Sequence, residues 1–128
     1  HDMRMLRVNS MGQLDGFPRS RWGIPERTVE QAAQMENGLE SGAIDLVIVP
    51  AVAFDARCQR LGQGRGYYDT FLERLATTRR AKDLPPPVTV GLGLQEQLVS
   101  RVPTAEHDQP LDYVSLSGTL LEATSGPA

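Results

Sequence analysis

Cysteine is almost missing from this chain: Cys58 is the only one in 128 residues, which excludes an internal disulfide and any multi-cysteine zinc site. Histidine is nearly as scarce, with only His1 and His107. Together these shortages point to an intracellular protein without a structural metal. Long apolar runs are lacking too. The longest, Leu46 to Phe54, contains Pro50 and is far shorter than the ~20 residues that a membrane helix needs. No signal-peptide or anchor pattern is visible, so the expectation is no membrane partner and a cytoplasmic location, with a mitochondrial one left open. Excess positive charge is absent as well. The formal charge of −3 argues against a nucleic-acid partner held by bulk electrostatics. Among the basic residues lysine is represented by Lys82 alone; arginine offers a rigid donor fork suited to phosphate or carboxylate, although high-GC codon usage produces the same bias. The chain opens "HDMRMLRV", without an initiator methionine and already in a strand-like rhythm, which raises the expectation of a clipped or partial protein.

What is present fits one compact domain, residues 1–128, with 40% hydrophobic residues to build its core. Arg4 to Val8 alternates weakly and suggests a short strand. "NSMGQLDGFPRSRWGIPE" is rich in Gly, Pro and Ser and reads as a surface connection holding Trp22. Thr28 to Gly42 favours helix, with Gly38 or Gly42 as its stop. Leu46, Val47, Ile48 and Val49 form the clearest strand, a continuous apolar run of the kind buried on both faces of a parallel sheet, and Pro50 ends it. A helix is expected from Tyr67 to Arg80, where Phe71, Leu72 and Leu75 recur at helical spacing. After "DLPPP" come a second buried strand, Val88 to Leu94, a single helical turn within "QEQLVSRVP", one last strand in "YVSLSGTLLEA" and a frayed tail. This alternation specifies an α/β fold, a layered and mostly parallel sheet with flanking helices.

The stretch "RLGQGRGYYD", Arg60 to Asp69, suits neither strand nor helix. Gly62, Gly64 and Gly66 lack a Cβ, so each is free to take positive φ and let backbone N–H groups converge. Such convergence makes an anion nest, and a helix starting near Tyr67 adds its positive end. Arg60 and Arg65 flank the nest and are placed to neutralise phosphate charge. Asp69 suits a magnesium ion bridging phosphates better than a bare anion. The spacing matches neither the Walker loop nor the dinucleotide Gly-x-Gly-x-x-Gly pattern, so a loop that merely turns the chain stays open.

The longer stretch "DLVIVPAVAFDARCQRLGQGRGYYDTFLERL", Asp45 to Leu75, resembles the signature of the 5-formyltetrahydrofolate cyclo-ligase family, also called methenyltetrahydrofolate synthetase: Val-Pro-Gly-x-Ala-Phe-Asp followed by Arg-Leu-Gly-x-Gly-x-Gly-Tyr-Tyr-Asp. "WGIPE", "TVGLGLQEQLVSRVP" and "EHDQPLD" extend the likeness across nearly the whole chain, to about Val114. Ala51 and Cys58 depart from it, standing where glycine or a small turn residue is usual; where the backbone there has positive φ, each costs about 1 kcal/mol. The resemblance also implies an N-terminal portion, with a basic motif for the ATP phosphates and part of the folate pocket, that these residues do not include.

By that resemblance the fold is of the NagB/RpiA/CoA-transferase-like group with its N-terminal part missing. The activity is closure of 5-formyltetrahydrofolate to 5,10-methenyltetrahydrofolate with ATP and Mg2+, by a monomer or one completed by a further segment. Arg60, Leu61, Gly62, Gln63, Gly64, Arg65, Gly66, Tyr67 and Tyr68 then line the ATP phosphates; Arg60, Arg65 and Tyr68 carry the catalysis. Asp69 and Asp108 hold the magnesium. Asp108 reads otherwise as an exposed turn residue beside a solvated His107. Tyr68 and Trp22 either pack against a pterin or nucleotide ring or fill the boundary between sheet and helix. Phe54 and Asp55 shape the loop entrance, with Asp55 available to brace Arg60 by a salt bridge. Cys58 has no neighbouring base to activate it and is read as a bystander. Two other classes stay open: a non-catalytic nucleotide- or folate-binding module, and a sugar-phosphate or CoA-handling protein, whose kind lacks the Gly-Tyr-Tyr-Asp sequence.

Overall fold

The computed structural model describes residues 3–62, 66–104 and 109–123. Among the described residues, three helices, α1 (Met11–Asp15), α2 (Val29–Gln34) and α3 (Gly38–Ser41), precede the strands β1 (Leu46–Val49), β2 (Ala53–Phe54) and β3 (Arg60–Leu61); helix α4 (Tyr67–Ala81) follows, and then strands β4 (Val88–Gly93), β5 (Tyr113–Leu116) and β6 (Thr119–Glu122). The main sheet has the order β1-β4-β5-β6. β4 runs parallel to both β1 and β5, and β6 closes the sheet antiparallel. Parallel neighbours need a crossover, and α4 supplies it between β1 and β4. The expected α/β class with a mostly parallel sheet is therefore what the chain adopts. β2 and β3 form a separate two-stranded ribbon.

Strand periodicity sends Val47 and Val49 of β1 and Val114 and Leu116 of β5 to one face, where they are buried with Leu39, Phe71 and Leu75 from the helices. Phe54 sits at the centre of this core rather than at a loop entrance. It lies over Gly91 and Gly93 of β4: a Cβ on Gly91 would come within 2.5 Å of Phe54 Cε1 and 2.9 Å of Leu111 Cδ1. Glycine here makes room for an aromatic ring. Gly91→Ala is expected to destabilise the chain by about 1–3 kcal/mol, because neither ring nor strand has space to retreat. A thermal unfolding midpoint equal to that of the parent chain would show that the core gives way freely.

The other face of the sheet is largely open among the described residues. Leu46 and Ile48 of β1, Val88 and Leu92 of β4 and Leu120 of β6 share it by register, and all five are exposed. The expectation that β1 is buried on both faces is thus corrected: its burial alternates, because helices cover one side only among the described residues. A contiguous apolar patch of this kind is adhesive. Replacing Ile48 and Leu92 by lysine is expected to lower concentration-dependent association of the chain in sedimentation velocity while leaving its unfolding midpoint within about 2 °C, as exposed substitutions usually do.

Three further local readings change. Arg4 to Val8 does not form a strand; it contributes a single bridge, Leu6 to Asn37. The helix expected over 28–42 breaks at Met35, whose extended backbone (φ −91°, ψ 142°) separates α2, closed by a Thr28–Gln31 capping box, from α3, capped by Asn37 and ended by left-handed Gly42. The last strand is a hairpin, because Ser117 (φ 46°) and Gly118 (φ 96°) take the two positive φ values of a tight reversal. The glycine- and proline-rich connection holds the short helix α1, with Ser10 as its cap.

Candidate functional site

The site is built on the β2–β3 ribbon and the start of α4. Ala53 pairs with Leu61 and Phe54 with Arg60, so Arg60 and Leu61 belong to a short strand before the loop proper begins. The turn between the two strands is closed from within by Asp55, 1% exposed. Its Oδ1 accepts from the Arg57 N–H at 2.9 Å and the Gln59 N–H at 3.1 Å, and its Oδ2 accepts from the Val102 N–H at 2.9 Å. The ion-pair partner of Asp55 is Arg57, at 3.7 Å, and not Arg60 as the sequence suggested. The backbone amides of a short turn hold this carboxylate, and they leave no trace in a sequence except an Asp placed two and four residues before its donors.

Arg60 instead turns toward α4. Its Nη1 lies 3.3 Å from Asp69 Oδ1, its Nε donates to the Pro50 carbonyl at 3.2 Å, and its guanidinium stands 5.5 Å from the centre of the Tyr68 ring. Buried stem and tethered head fix the cation: the side chain is 10% exposed, against 63% for Asp69. Gly62 does not use positive φ. Its hydrogen faces the arginine, and a Cβ there would lie 3.1 Å from Arg60 Nη2. Gly66 does use it, with φ 68° as the N-cap of the 15-residue α4, and no side chain caps that helix. The cap residue itself offers the first-turn N–H groups of α4 no side-chain acceptor, and the positive end of the helix dipole adds to them. Leu61, Gly62, Gly66, Tyr67, Tyr68, Asp69 and Arg60 are thus brought together in sequence and in space, with Tyr67 exposed and Tyr68 half-buried against the core.

Trp22 is placed elsewhere, at the tip of a loop closed by the Arg19–Pro25 bridge. It is 73% exposed, with the Arg21 guanidinium 4.1 Å over its ring, so it does not fill a boundary between sheet and helix. Gln63, Gly64, Arg65, His107 and Asp108 lie outside the described residues. Among the described residues no group of three or more His, Cys, Asp and Glu side chains forms a metal cage. A single exposed carboxylate such as Asp69 still suits magnesium, which keeps several waters and takes one or two carboxylates beside phosphate oxygens.

Cys58 is buried at the same turn with its backbone in the left-handed region, φ 62°. Of the two departures from the family pattern, it is therefore the strained one, at about 1 kcal/mol. Burial pushes its thiol pKa up, and the carboxylates of Asp55, Asp112 and Glu122 push in the same direction. A raised pKa keeps the thiol protonated at neutral pH, and the thiolate is the reactive form. Iodoacetamide at pH 7.5 is expected to leave Cys58 unmodified in the folded chain and to alkylate it fully in denaturant; rapid modification of the folded chain, seen by mass spectrometry, would contradict this.

The chain is similar to known proteins over most of its length. Residues 1–117 match the model of the 5-formyltetrahydrofolate cyclo-ligase family. The 5-formyltetrahydrofolate cyclo-ligase of Mus musculus is 34% identical over 112 residues, covering 88% of this chain and 52% of the mouse protein. A probable 5-formyltetrahydrofolate cyclo-ligase of Caenorhabditis elegans is 35% identical over 116 residues, covering 91% of this chain and 54% of the nematode protein. The solution structure of Aquifex aeolicus 5,10-methenyltetrahydrofolate synthetase superposes with a TM-score of 0.64 at 26% identity, over 99% of this chain and 56% of that one. The chain spans about half the length of the relatives it matches, and it belongs to the 5-formyltetrahydrofolate cyclo-ligase family.

Proposed function

We propose that this chain carries the nucleotide-phosphate site of an ATP-dependent cyclo-ligase acting on 5-formyltetrahydrofolate, and that it represents the C-terminal part of one such domain. The observation that carries this reading is the convergence of Arg60, the uncapped start of α4 at left-handed Gly66, and Asp69. In the proposed complex, backbone N–H groups from Leu61 to Tyr68, including those of Gly62, Gln63, Gly64, Arg65, Gly66 and Tyr67, hold the phosphates. Arg60 and Arg65 draw off charge as the γ-phosphoryl group moves, and Tyr68 keeps the Arg60 guanidinium in place from below. Asp69 and Asp108 would hold a magnesium ion, which supplies charge neutralisation at the phosphates.

The reaction needs little covalent help. The formyl oxygen of the substrate bonds to the γ-phosphorus as ADP leaves, and N10 then closes the ring as inorganic phosphate departs. Catalysis of this type is positioning and electrostatics, which fixed amides and a tethered arginine provide. Trp22, on its exposed loop, is available to a planar ring of substrate or nucleotide. The test is incubation with 5-formyltetrahydrofolate and MgATP, following the near-ultraviolet absorbance of the methenyl product together with released phosphate. Product that requires both MgATP and Arg60 supports the reading. A second reading, a nucleotide- or folate-binding module without turnover, predicts binding of MgATP or of the folate without product. Failure to bind MgATP would sink the first reading, and failure to bind either ligand would sink the second as well.

A further inference from the structure

The β2–β3 ribbon that bears Arg60 is only two residue pairs long, too short to hold its own orientation. Beside Arg60 it is tied to the body of the fold through Phe54, whose carbonyl accepts from the Val99 N–H at 2.8 Å. The turn that follows, from Asp55 to Gln59, is tied at two places. Asp55 Oδ2 accepts from the buried Val102 N–H at 2.9 Å, and the Cys58 carbonyl accepts from the buried Leu111 N–H at 2.8 Å. Asp55 alone joins both jobs. One oxygen shapes the turn that leads directly into Arg60, and the other fastens that turn to the chain beyond β4.

From this we propose that Asp55 is a positioning residue: it fixes the place of Arg60 against the start of α4, and so acts on nucleotide binding through Arg60 without touching the nucleotide. The inference rests on the phosphate-site reading above. The chemistry explains why the residue is a carboxylate. Three backbone N–H groups on two sides require acceptors on both oxygens. An asparagine satisfies one side with its carbonyl and turns an N–H2 donor against the N–H donors on the other. A serine reaches one side only. Arg57, half-exposed and 3.7 Å away, is a secondary partner.

The experiment is a double-mutant cycle on the full 128-residue chain, titrated with MgATP. Asp55→Asn is expected to weaken binding by roughly 10–100-fold, the scale on which displacement of a positioned group acts. Arg60→Ala is expected to lose at least as much. The double variant should be no weaker than Arg60→Ala alone, because Asp55 has then nothing left to position. Additive losses would overturn the proposal, showing that Asp55 supports the fold in general. Asp55→Ser is read in the same way should the Asn variant unfold. A ligand-free measurement separates failure of this inference from failure of the phosphate site. The Arg60 Nε–H, which donates to Pro50, gives its own nitrogen-15 NMR signal. In Asp55→Asn or Asp55→Ser that signal should shift and exchange faster with water. An unchanged signal refutes the positioning role whether or not the parent chain binds MgATP.

Discussion

Arg79→Met should cost the chain about 3–5 kcal/mol, a large part of the roughly 5–15 kcal/mol that a domain has in total. Arg79 is 3% exposed near the end of α4. Its Nε donates to the Pro85 carbonyl at 2.6 Å, and its Nη1 donates to the carbonyls of Gly42 and Ile44, both at 2.7 Å. Nη2 meets Asp45 at 3.1 Å, but that carboxylate is 93% exposed, so the ion pair adds little. The carbonyls decide the energy. Each belongs to a stretch of backbone with no other described donor at that oxygen, and a charged donor at 2.6–2.7 Å is worth more than a neutral one. One side chain thereby gathers the turn before β1, the end of the crossover helix and the proline stretch before β4. Methionine fills much of the volume and satisfies none of the acceptors. Lysine carries the charge as a point and lacks the planar fork, so Arg79→Lys should recover only part of the loss. A fall in the unfolding midpoint of more than about 10 °C is expected for Met and a smaller fall for Lys. Equal midpoints for all three chains would mean that water satisfies those carbonyls as well as arginine does.

Sequence alone could not separate Arg79 from Arg80. Both stand in the last turn of α4, where basic residues complement the helix dipole, and only the packing of the α3–β1 turn shows which one points inward. The same limit governs the rest. β1, α4 and β4 were legible because Leu46–Val49, Phe71 with Leu75, and Val88–Gly93 carry periodicity or continuous apolar character that local physics reads directly. The coverage of β1 was not legible. Leu46 and Ile48 look like core residues, and their exposure depends on what packs against the sheet, which a run of four apolar residues cannot state. The break at Met35 was missed because helix-forming residues run through it from Gln31 to Glu36, and the Ser117–Gly118 reversal because apolar residues continue on both sides of it. In the site, Arg60, Gly66 and Asp69 were readable as neighbours in one motif. The partner of Asp55 was not, since backbone amides bind it and every residue but proline has one.

Loss of Arg60 or Asp69 should weaken MgATP binding by about 10–100-fold, or roughly 1.4–2.7 kcal/mol, and for Asp69 with little change in stability. The separation of the two effects is the point of the test. The Arg60–Asp69 pair is open to water on the carboxylate side, and pairs of that kind contribute about 0–1 kcal/mol to folding, so Asp69→Asn should melt close to the parent chain, whereas Arg60→Ala also removes a side chain only 10% exposed and should melt lower. A phosphate chain facing the guanidinium is a different matter, because a multiply charged anion gains directly from a cation held by Pro50 and Tyr68. Arg60→Ala should therefore lose affinity for ATP with or without magnesium. Asp69→Asn should behave differently. Its side-chain oxygen still accepts from Arg60, while the negative charge proposed to hold the magnesium ion is gone. Binding of ATP in EDTA should stay at the parent level or rise slightly, as a repulsive carboxylate near the phosphates has been removed, and the gain conferred by magnesium should disappear. Both effects should shrink as salt is raised, since the carboxylate side of the site is exposed to screening ions. Identical affinities for the parent chain, Arg60→Ala and Asp69→Asn, in magnesium and in EDTA, would remove the phosphate site from the start of α4.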